Sequence, residues 1–363
     1  MALKTTRGDA GGPVKGRGAP SNLEGRFEDW TRETIEDGWT REEGEPRRLP
    51  THILPDAAKT VIARNSSPDI PFDQSINPYR GCEHGCPYCY ARPTHAYLGL
   101  SPGLDFETRI FAKHDAAALL KKELAAPGYR CSAIALGANT DPYQPVERDL
   151  RITRSILEVL TGCEHPFTIV TKNALVERDI DLIAPMAANT MARAYLSVTN
   201  LDAELSRKLE PRASAPYRRL EAVRRLAGAG IPVGVLVAPV IPFITDRFME
   251  EILERAKEAG ASSAGYILLR LPLEVAPLMK DWLASHYPLK AQHVMSLVRQ
   301  MRGGKDYQSD FATRKRGTGA FADLLEQRFT RACERLGLDH GARQPLDTSR
   351  FRPPRTGPQL DLF

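Results

Sequence analysis

Arg80-Gly-Cys-Glu-His-Gly-Cys-Pro-Tyr-Cys-Tyr90 sets Cys82, Cys86 and Cys89 in a C-x3-C-x2-C run closed by an aromatic. Gly81, Gly85 and Pro87 mark the run as a loop rather than a packed helix. Three thiolates folded back on one another hold a soft metal centre and are one ligand short of the usual four. On an iron–sulfur cube the missing ligand leaves one iron open for a small molecule to chelate. The alternative is a structural zinc site with His84 as fourth ligand. Such sites usually draw ligand pairs from two separated segments, and no second Cys or His pair is present.

Around this loop, short apolar segments alternate with amphipathic ones. Ser75–Tyr79, Ala133–Gly137, Phe167–Thr171, Ala194–Val198, Val233–Val240 and Tyr266–Leu271 read as strands, being short, apolar and bounded by turn residues. Helical patterns fill Arg151–Leu160, Val176–Met186, Pro216–Ala229 and Asp246–Ala259; Gly230 and Gly260 follow the last two as stops, and Thr245 reads as an N-cap. His293–Met301 and Phe321–Leu336 look like further helices. The βα alternation implies an α/β fold with a parallel sheet and helices outside it. Six strands are too few for a closed eight-stranded barrel, so the expected architecture is a partial, TIM-like (β/α)6 arc.

In such folds chemistry gathers at the C-terminal ends of the strands. Those ends carry the cysteine loop, then Asn139-Thr-Asp-Pro-Tyr-Gln-Pro-Val-Glu147, Thr171-Lys-Asn173, Ser197 with Thr199 and Asn200, Ala238-Pro239, and Arg270. Charged and amide groups at successive strand ends, each preceded by apolar residues, suit a pocket for a polar, charged ligand. Ordinary turn chemistry alone accounts for Thr140, Asp141 or Asn200 taken singly, but not for agreement across the set.

The cysteine loop with its trailing Tyr90 resembles the signature of the radical S-adenosylmethionine (SAM) superfamily. There the open iron of a 4Fe-4S cluster binds the amino and carboxylate groups of SAM, which is split reductively into methionine and a 5′-deoxyadenosyl radical. Thr140-Asp-Pro-Tyr-Gln-Pro145, Thr171-Lys172 and Ser197-Val-Thr-Asn200 resemble, more narrowly, the spore photoproduct lyase-related branch, whose members are often labelled DNA repair photolyases. The likeness spans Asn77 to Leu271 and implies the partial barrel of the radical SAM type, a lyase-like activity and an electron donor such as flavodoxin or ferredoxin. It implies that Cys82, Cys86 and Cys89 ligate the cluster. Lys172 would pair with the SAM carboxylate, and Ser197 would bond the ribose. Thr140 and Asp141 would face the SAM amino group, and Tyr88 and Ala238 would lie near adenine. Glu210 and Arg218 are further candidates for the same pocket. Asp141, Tyr143 and Arg270 are the candidates for catalytic roles. One departure stands out: the lyase uses a cysteine near the end of its second strand as hydrogen-atom donor, and Gly137-Ala-Asn-Thr140 has none. Cys131, Cys163 and Cys333 read as inert structural thiols.

The remainder of the chain bears on partners. At 363 residues and 42% hydrophobic content, there is enough chain for one large core with appendages. Six cysteines without a paired framework, and no secretory leader, point to a reducing cytoplasm. The longest apolar run, Ile231 to Ile244, is too short for a bilayer and is broken by three prolines, so no membrane association is expected. The net charge of +5 is compatible with a nucleic-acid partner without requiring one. The basic stretch Arg302 to Arg316, with Tyr307 inside it, has the composition of a segment that tracks a phosphate backbone. The terminal Gln359-Leu-Asp-Leu-Phe363 resembles the bacterial sliding-clamp-binding pentapeptide, which implies that Gln359, Leu360, Leu362 and Phe363 dock on the clamp. The expected organisation is a disordered tail to residue 50 and a packing extension over 51–74. A radical SAM core follows over 75–285, then a helical subdomain with the basic loop over 286–340 and a flexible tail from 341. The expected function is radical SAM chemistry in DNA repair or nucleic-acid modification. The alternatives are modification of RNA or protein by the same radical, and a zinc-stabilised, clamp-tethered module without catalysis.

Overall fold

Phe167, Ile169 and Thr171 are fully covered while Thr168 and Val170 between them are only partly so, the period-two pattern of a strand with one face in a core. The computed structural model describes residues 14–27, 49–341 and 344–354. Ten strands run through them: β1 His52–Pro55, β2 Ile62–Arg64, β3 Gln74–Ile76, β4 Tyr79–Arg80, β5 Arg109–Ala112, β6 Ile134–Leu136, β7 Phe167–Thr171, β8 Ala192–Ser197, β9 Val233–Val240 and β10 Ser263–Leu268. The larger sheet has the order β10-β9-β8-β7-β6-β3-β2, parallel from β10 through β3 with β2 antiparallel at the edge. The six expected strands are thus present in the expected arrangement, as an open arc of α/β type. A second sheet, ordered β1-β5-β4, delivers the chain from Tyr79 and Arg80 into the cysteine loop.

Helices Ile152–Gly162, Ile180–Ala188, Pro216–Gly228 and Met249–Glu258 fill the crossovers. Ile156, Leu160, Ile183, Val223, Leu226 and Ile252 on their inner faces meet Ile134, Phe167, Ala194 and Val235 of the strands in one apolar core. Burying one such side chain is worth about 1.5–3 kcal/mol, so packing rather than intrinsic propensity holds these short helices. Gly230 and Gly260 take positive φ just past the helix ends, as expected. Thr245 departs from its expected cap role. Its hydroxyl accepts from the Ile241 amide at 2.8 Å and donates to the Pro239 carbonyl at 3.2 Å, closing the loop after β9.

Helices Val275–His286 and Pro288–Gln300 form a second apolar cluster through Met279, Trp282, Val294 and Val298, and Cys86 and Tyr88 belong to it. The last helix, Ala320–Leu336, instead returns to the main core through Leu325, Phe329 and Cys333. Residues 14–27 and 344–354, from the two stretches expected to be tails, pack on the body. Val14, Ala19 and Leu23 join Leu104 and Leu278. Phe351 sits edge-on to His165 at 5.0 Å, with Arg350 paired to Glu164 at 2.7 Å. The clamp-like pentapeptide lies outside the described residues. Among those residues, no helix is long and apolar enough to cross a membrane.

Candidate active site at the strand ends

The cysteine loop is short and glycine-rich, so its shape has to come from outside it. Gly85 has φ +71, and a Cβ there would stand 2.8 Å from the Glu107 carboxylate. Glu83, between the first two cysteines, is fixed on three sides. Its carboxylate accepts from the Val146 amide at 2.8 Å and the Thr51 hydroxyl at 2.7 Å, and pairs with Arg212 at 3.0 Å. Gln144 bridges the loop, accepting from the Glu83 amide at 2.9 Å and donating to the Gly81 carbonyl at 3.2 Å. Beneath the loop, the fully buried Arg92 donates to the Cys86 carbonyl at 2.8 Å and pairs with Glu107 at 2.5 Å. Residues 14–27 close the outer side. The Gly18 and Ala19 amides donate to the same Glu107 carboxylate at 3.0 and 2.8 Å, and Arg17 donates to the Glu107 carbonyl at 2.8 Å.

Held this way, Cys82, Cys86 and Cys89 line one cavity of about 200 Å³. Burial pushes the Cys86 thiol up to about 12, with Glu210 adding to the shift. Cys82 is raised by burial, by Asp141 and by the other two thiols. Three thiols on one cavity, Cys82 and Cys86 buried and Cys89 partly so, suit a polycationic metal centre, whose charge would remove their protons outright. Among the described residues no group of three or more His, Cys, Asp or Glu side chains is close enough to hold a single metal ion. His84 is not free to complete a zinc site either. Its Nδ1 lies 3.4 Å from Asp141 and its Nε2 3.5 Å from the Asn173 amide. The donor set fits a three-cysteine iron–sulfur cluster.

The opposite wall is polar and comes from the ends of β6 to β10. Asp141, in the turn after β6, accepts from the Thr171 hydroxyl and the Lys172 amide, both at 2.7 Å, and so ties that turn to the end of β7. The Lys172 Nζ donates to the Ser197 hydroxyl at 2.7 Å and the Ala238 carbonyl at 3.3 Å, and stands 3.7 Å from Glu210. Asp141, Lys172, Ser197, Ala238 and Tyr88 all line the cavity. Under them lies a buried pair: Glu210 with Arg219 at 2.5 Å, supported by the Thr199 hydroxyl at 2.6 Å and by the Tyr88 hydroxyl. With Glu210 neutralised by Arg219, the cavity presents two cations, Lys172 and Arg270, and one anion at Asp141. Leu236, Ile267 and Leu268 supply an apolar side.

Thr140 and Tyr143, both expected at the site, do not line the cavity. The Thr140 hydroxyl turns back to the Tyr79 carbonyl at 2.7 Å. Tyr143, a candidate for a catalytic role, is wholly buried, and its hydroxyl donates to Asp179 at 3.0 Å. Arg270 does line the cavity. Arg218 pairs with Glu177 at 3.1 Å on the outside, and its neighbour Arg219 is the one that meets Glu210. The sequence signal for this pair was the run Glu210 to Arg219, a polar stretch opening on a Pro-rich turn; which arginine it used was not readable. The basic stretch is also largely self-satisfied. Arg314 pairs with Asp69 at 2.5 Å and Arg316 with Glu326 at 2.9 Å, and Arg302 is buried on the Leu269 and Thr313 carbonyls, both at 2.9 Å. Cys163 and Cys333 are buried in the core and Cys131 is partly covered, away from the cavity.

Residues 76–256 match the family model described as the Radical SAM superfamily. An uncharacterised protein of Mycobacterium tuberculosis is 36% identical over 233 residues, spanning 64% of this chain and 68% of its own length. An uncharacterised protein of Methanocaldococcus jannaschii is 27% identical over 213 residues, spanning 59% of this chain and 76% of its own length. Among solved structures, a mutant spore photoproduct lyase with bound AdoMet and dinucleoside spore photoproduct superposes with a TM-score of 0.51. The match has 20% identity and covers 79% of this chain and 80% of that one, a likeness of fold.

Proposed function

Because this chain belongs to the radical SAM superfamily, we propose that it is an enzyme that binds a 4Fe-4S cluster and SAM at the strand ends and acts on DNA or another nucleic acid. The observation that carries the reading is the single cavity bordered by all three cysteines, Asp141 and Lys172. When bound, the cluster and SAM supply reductive cleavage of SAM to methionine and a 5′-deoxyadenosyl radical able to abstract hydrogen.

The residues of the chain bind and orient. Cys82, Cys86 and Cys89 would hold the cluster through their thiolates. Lys172 offers its ammonium to the SAM carboxylate and Asp141 its carboxylate to the SAM amino group, a zwitterion met by opposite charges. Ser197 lies beside Lys172 within reach of a ribose hydroxyl, and Tyr88 and Ala238 border the space for adenine. Glu210 and Arg219 hold this wall from beneath. Among the described residues no thiol borders the cavity besides the three ligands, so the lyase's hydrogen-donor cysteine is not carried over. The reaction takes another hydrogen route, with electrons from a donor such as flavodoxin or ferredoxin.

The nucleic-acid assignment draws support from the fold shared with a solved structure that contains a dinucleoside, and from the terminal Gln359-Leu-Asp-Leu-Phe363. That tail is proposed to dock on the bacterial sliding clamp through Gln359, Leu360, Leu362 and Phe363. To test the substrate class, reconstituted enzyme with SAM and a reductant is offered irradiated DNA, intact DNA, RNA and peptide pools. A SAM-dependent mass change confined to DNA supports the reading. A change confined to RNA or peptide would replace it by the corresponding modification activity.

A further inference from the structure

Arg270 follows the end of β10, three strands along the sheet from Lys172 at the end of β7. Its guanidinium lines the cavity and lies over the Tyr90 ring at 5.3 Å. One terminal nitrogen reaches the Tyr307 hydroxyl at 3.4 Å, and Nε is buried without any hydrogen bond. Arg92, Arg219 and Arg178 near the site each hold a carboxylate: Arg92 with Glu107 and Arg219 with Glu210 at 2.5 Å, and Arg178 with Asp179 at 2.8 Å. Among the described residues no carboxylate lies within ion-pair distance of Arg270.

The surroundings deepen the imbalance. Arg302 has only backbone carbonyls as partners, and its Nε is also unpaired. Burial and the nearby Arg270 bring its pKa down to about 10. Lys315 is lowered by burial, against the raising effect of Asp69, with Arg314 and Arg270 adding to the lowering. Asp69 is already shared between Arg314 and Lys315. A desolvated guanidinium without a counter-charge is costly to keep, and its planar fork matches the oxygens of a phosphate. Tyr90 is 45% exposed, so part of its ring is open beside that fork. A cation flanked by aromatic rings is the combination that tracks a single strand, with the fork on phosphate and the rings on bases.

We propose that Arg270 is the anchor for a backbone phosphate of a nucleic-acid substrate at the cavity mouth, with Tyr307 as second donor and Tyr90 as base platform. This rests on the reading of the cavity as a radical SAM site and names what enters beside the cofactor. A carboxylate also fits the fork, but the two aromatic neighbours and the surplus of cations favour a nucleotide. The SAM carboxylate has its cation in Lys172, on the far side of β8 and β9.

The test uses the full chain, reconstituted anaerobically, with a short fluorescein-labelled single-stranded oligonucleotide followed by anisotropy across a salt series. Arg270→Ala is expected to weaken binding about tenfold and to lower the slope of log affinity against log salt by about 0.7, the loss of one phosphate contact. Arg270→Lys keeps the charge without the fork and should recover part of the affinity, and Tyr307→Phe should give a smaller loss. SAM affinity by equilibrium dialysis should stay within about twofold, and unchanged circular dichroism guards against misfolding. Oligonucleotide affinity and salt slope unaltered in Arg270→Ala would overturn the proposal. So would a loss confined to SAM binding, which would give Arg270 to the SAM carboxylate, or displacement of the oligonucleotide by an acidic peptide at equal concentration. No binding of any oligonucleotide by the wild type, with SAM still cleaved, would remove the nucleic-acid assignment and this anchor together while leaving the radical SAM reading intact.

Discussion

Glu210 is fully buried and yet ionised. Burial alone would raise its carboxyl, but Arg219, Lys172 and the Thr199 and Tyr88 hydroxyls hold it at about 2, against 4.5 for an ordinary glutamate. Since the folded value is the lower one, its stabilisation is complete above about pH 4.5 and is lost as pH falls towards 2. Glu210→Gln should flatten the decline of the urea midpoint across that window. At neutral pH it should cost about 3–5 kcal/mol, because it strands Arg219 as a buried charge. An unchanged midpoint would mean that the pair contributes nothing. Gly137 is the second test at this scale. With φ +84 and a Cβ position 2.2 Å from the Val170 carbonyl, Gly137→Ala should lower stability by on the order of 1–3 kcal/mol, seen as a lower thermal midpoint. That the cysteines, Asp141, Lys172, Ser197 and Ala238 border one cavity was legible because each lies in or just after the C-terminal part of a strand, where side chains converge. Thr140 and Tyr143 could not, since side chains within one tight turn fan in different directions. Arg219 was missed by one position because the buried face of helix Pro216–Gly228 is chosen by tertiary packing around Leu220 and Val223.

At the scale of elements, the six parallel strands were legible because each is a compact apolar run packed beneath the crossover helices. The two- to four-residue strands β1, β4 and β5 were not, because their pairing depends on contacts far away in sequence. The strap of residues 14–27 was equally hidden. It is polar and glycine-rich, and what orders it is Glu107, some ninety positions on. Its closest approach is at Gly18, where a Cβ would stand 1.7 Å from the Gly85 carbonyl of the cysteine loop. Gly18→Ala is therefore expected to push the strap off the loop. Once the protein is reconstituted, the cluster absorbance should bleach several times faster in air than in the wild type, and equal rates would show that the strap does not shield it.

For the whole molecule, the arc of strands brings three thiols and a zwitterion-matched wall to one cavity, and the flanking segments decide what reaches it. The basic stretch looked like a long nucleic-acid track, but in the fold its charges are mostly spent internally, and the unbalanced cation at the cavity is Arg270. Composition could not show this, because Asp69 and Glu326 lie far from their arginines in sequence. The proposed clamp contact is tested at this scale too: deleting Gln359–Phe363 should abolish binding to immobilised sliding clamp without changing SAM affinity, and retained clamp binding would remove that assignment. The central claim is tested most directly by product analysis after anaerobic reconstitution with iron and sulfide. On reduction with SAM present, the wild type should release 5′-deoxyadenosine and methionine, and Cys86→Ala should release neither. Stoichiometric zinc in the purified protein, with SAM left intact, would contradict the account.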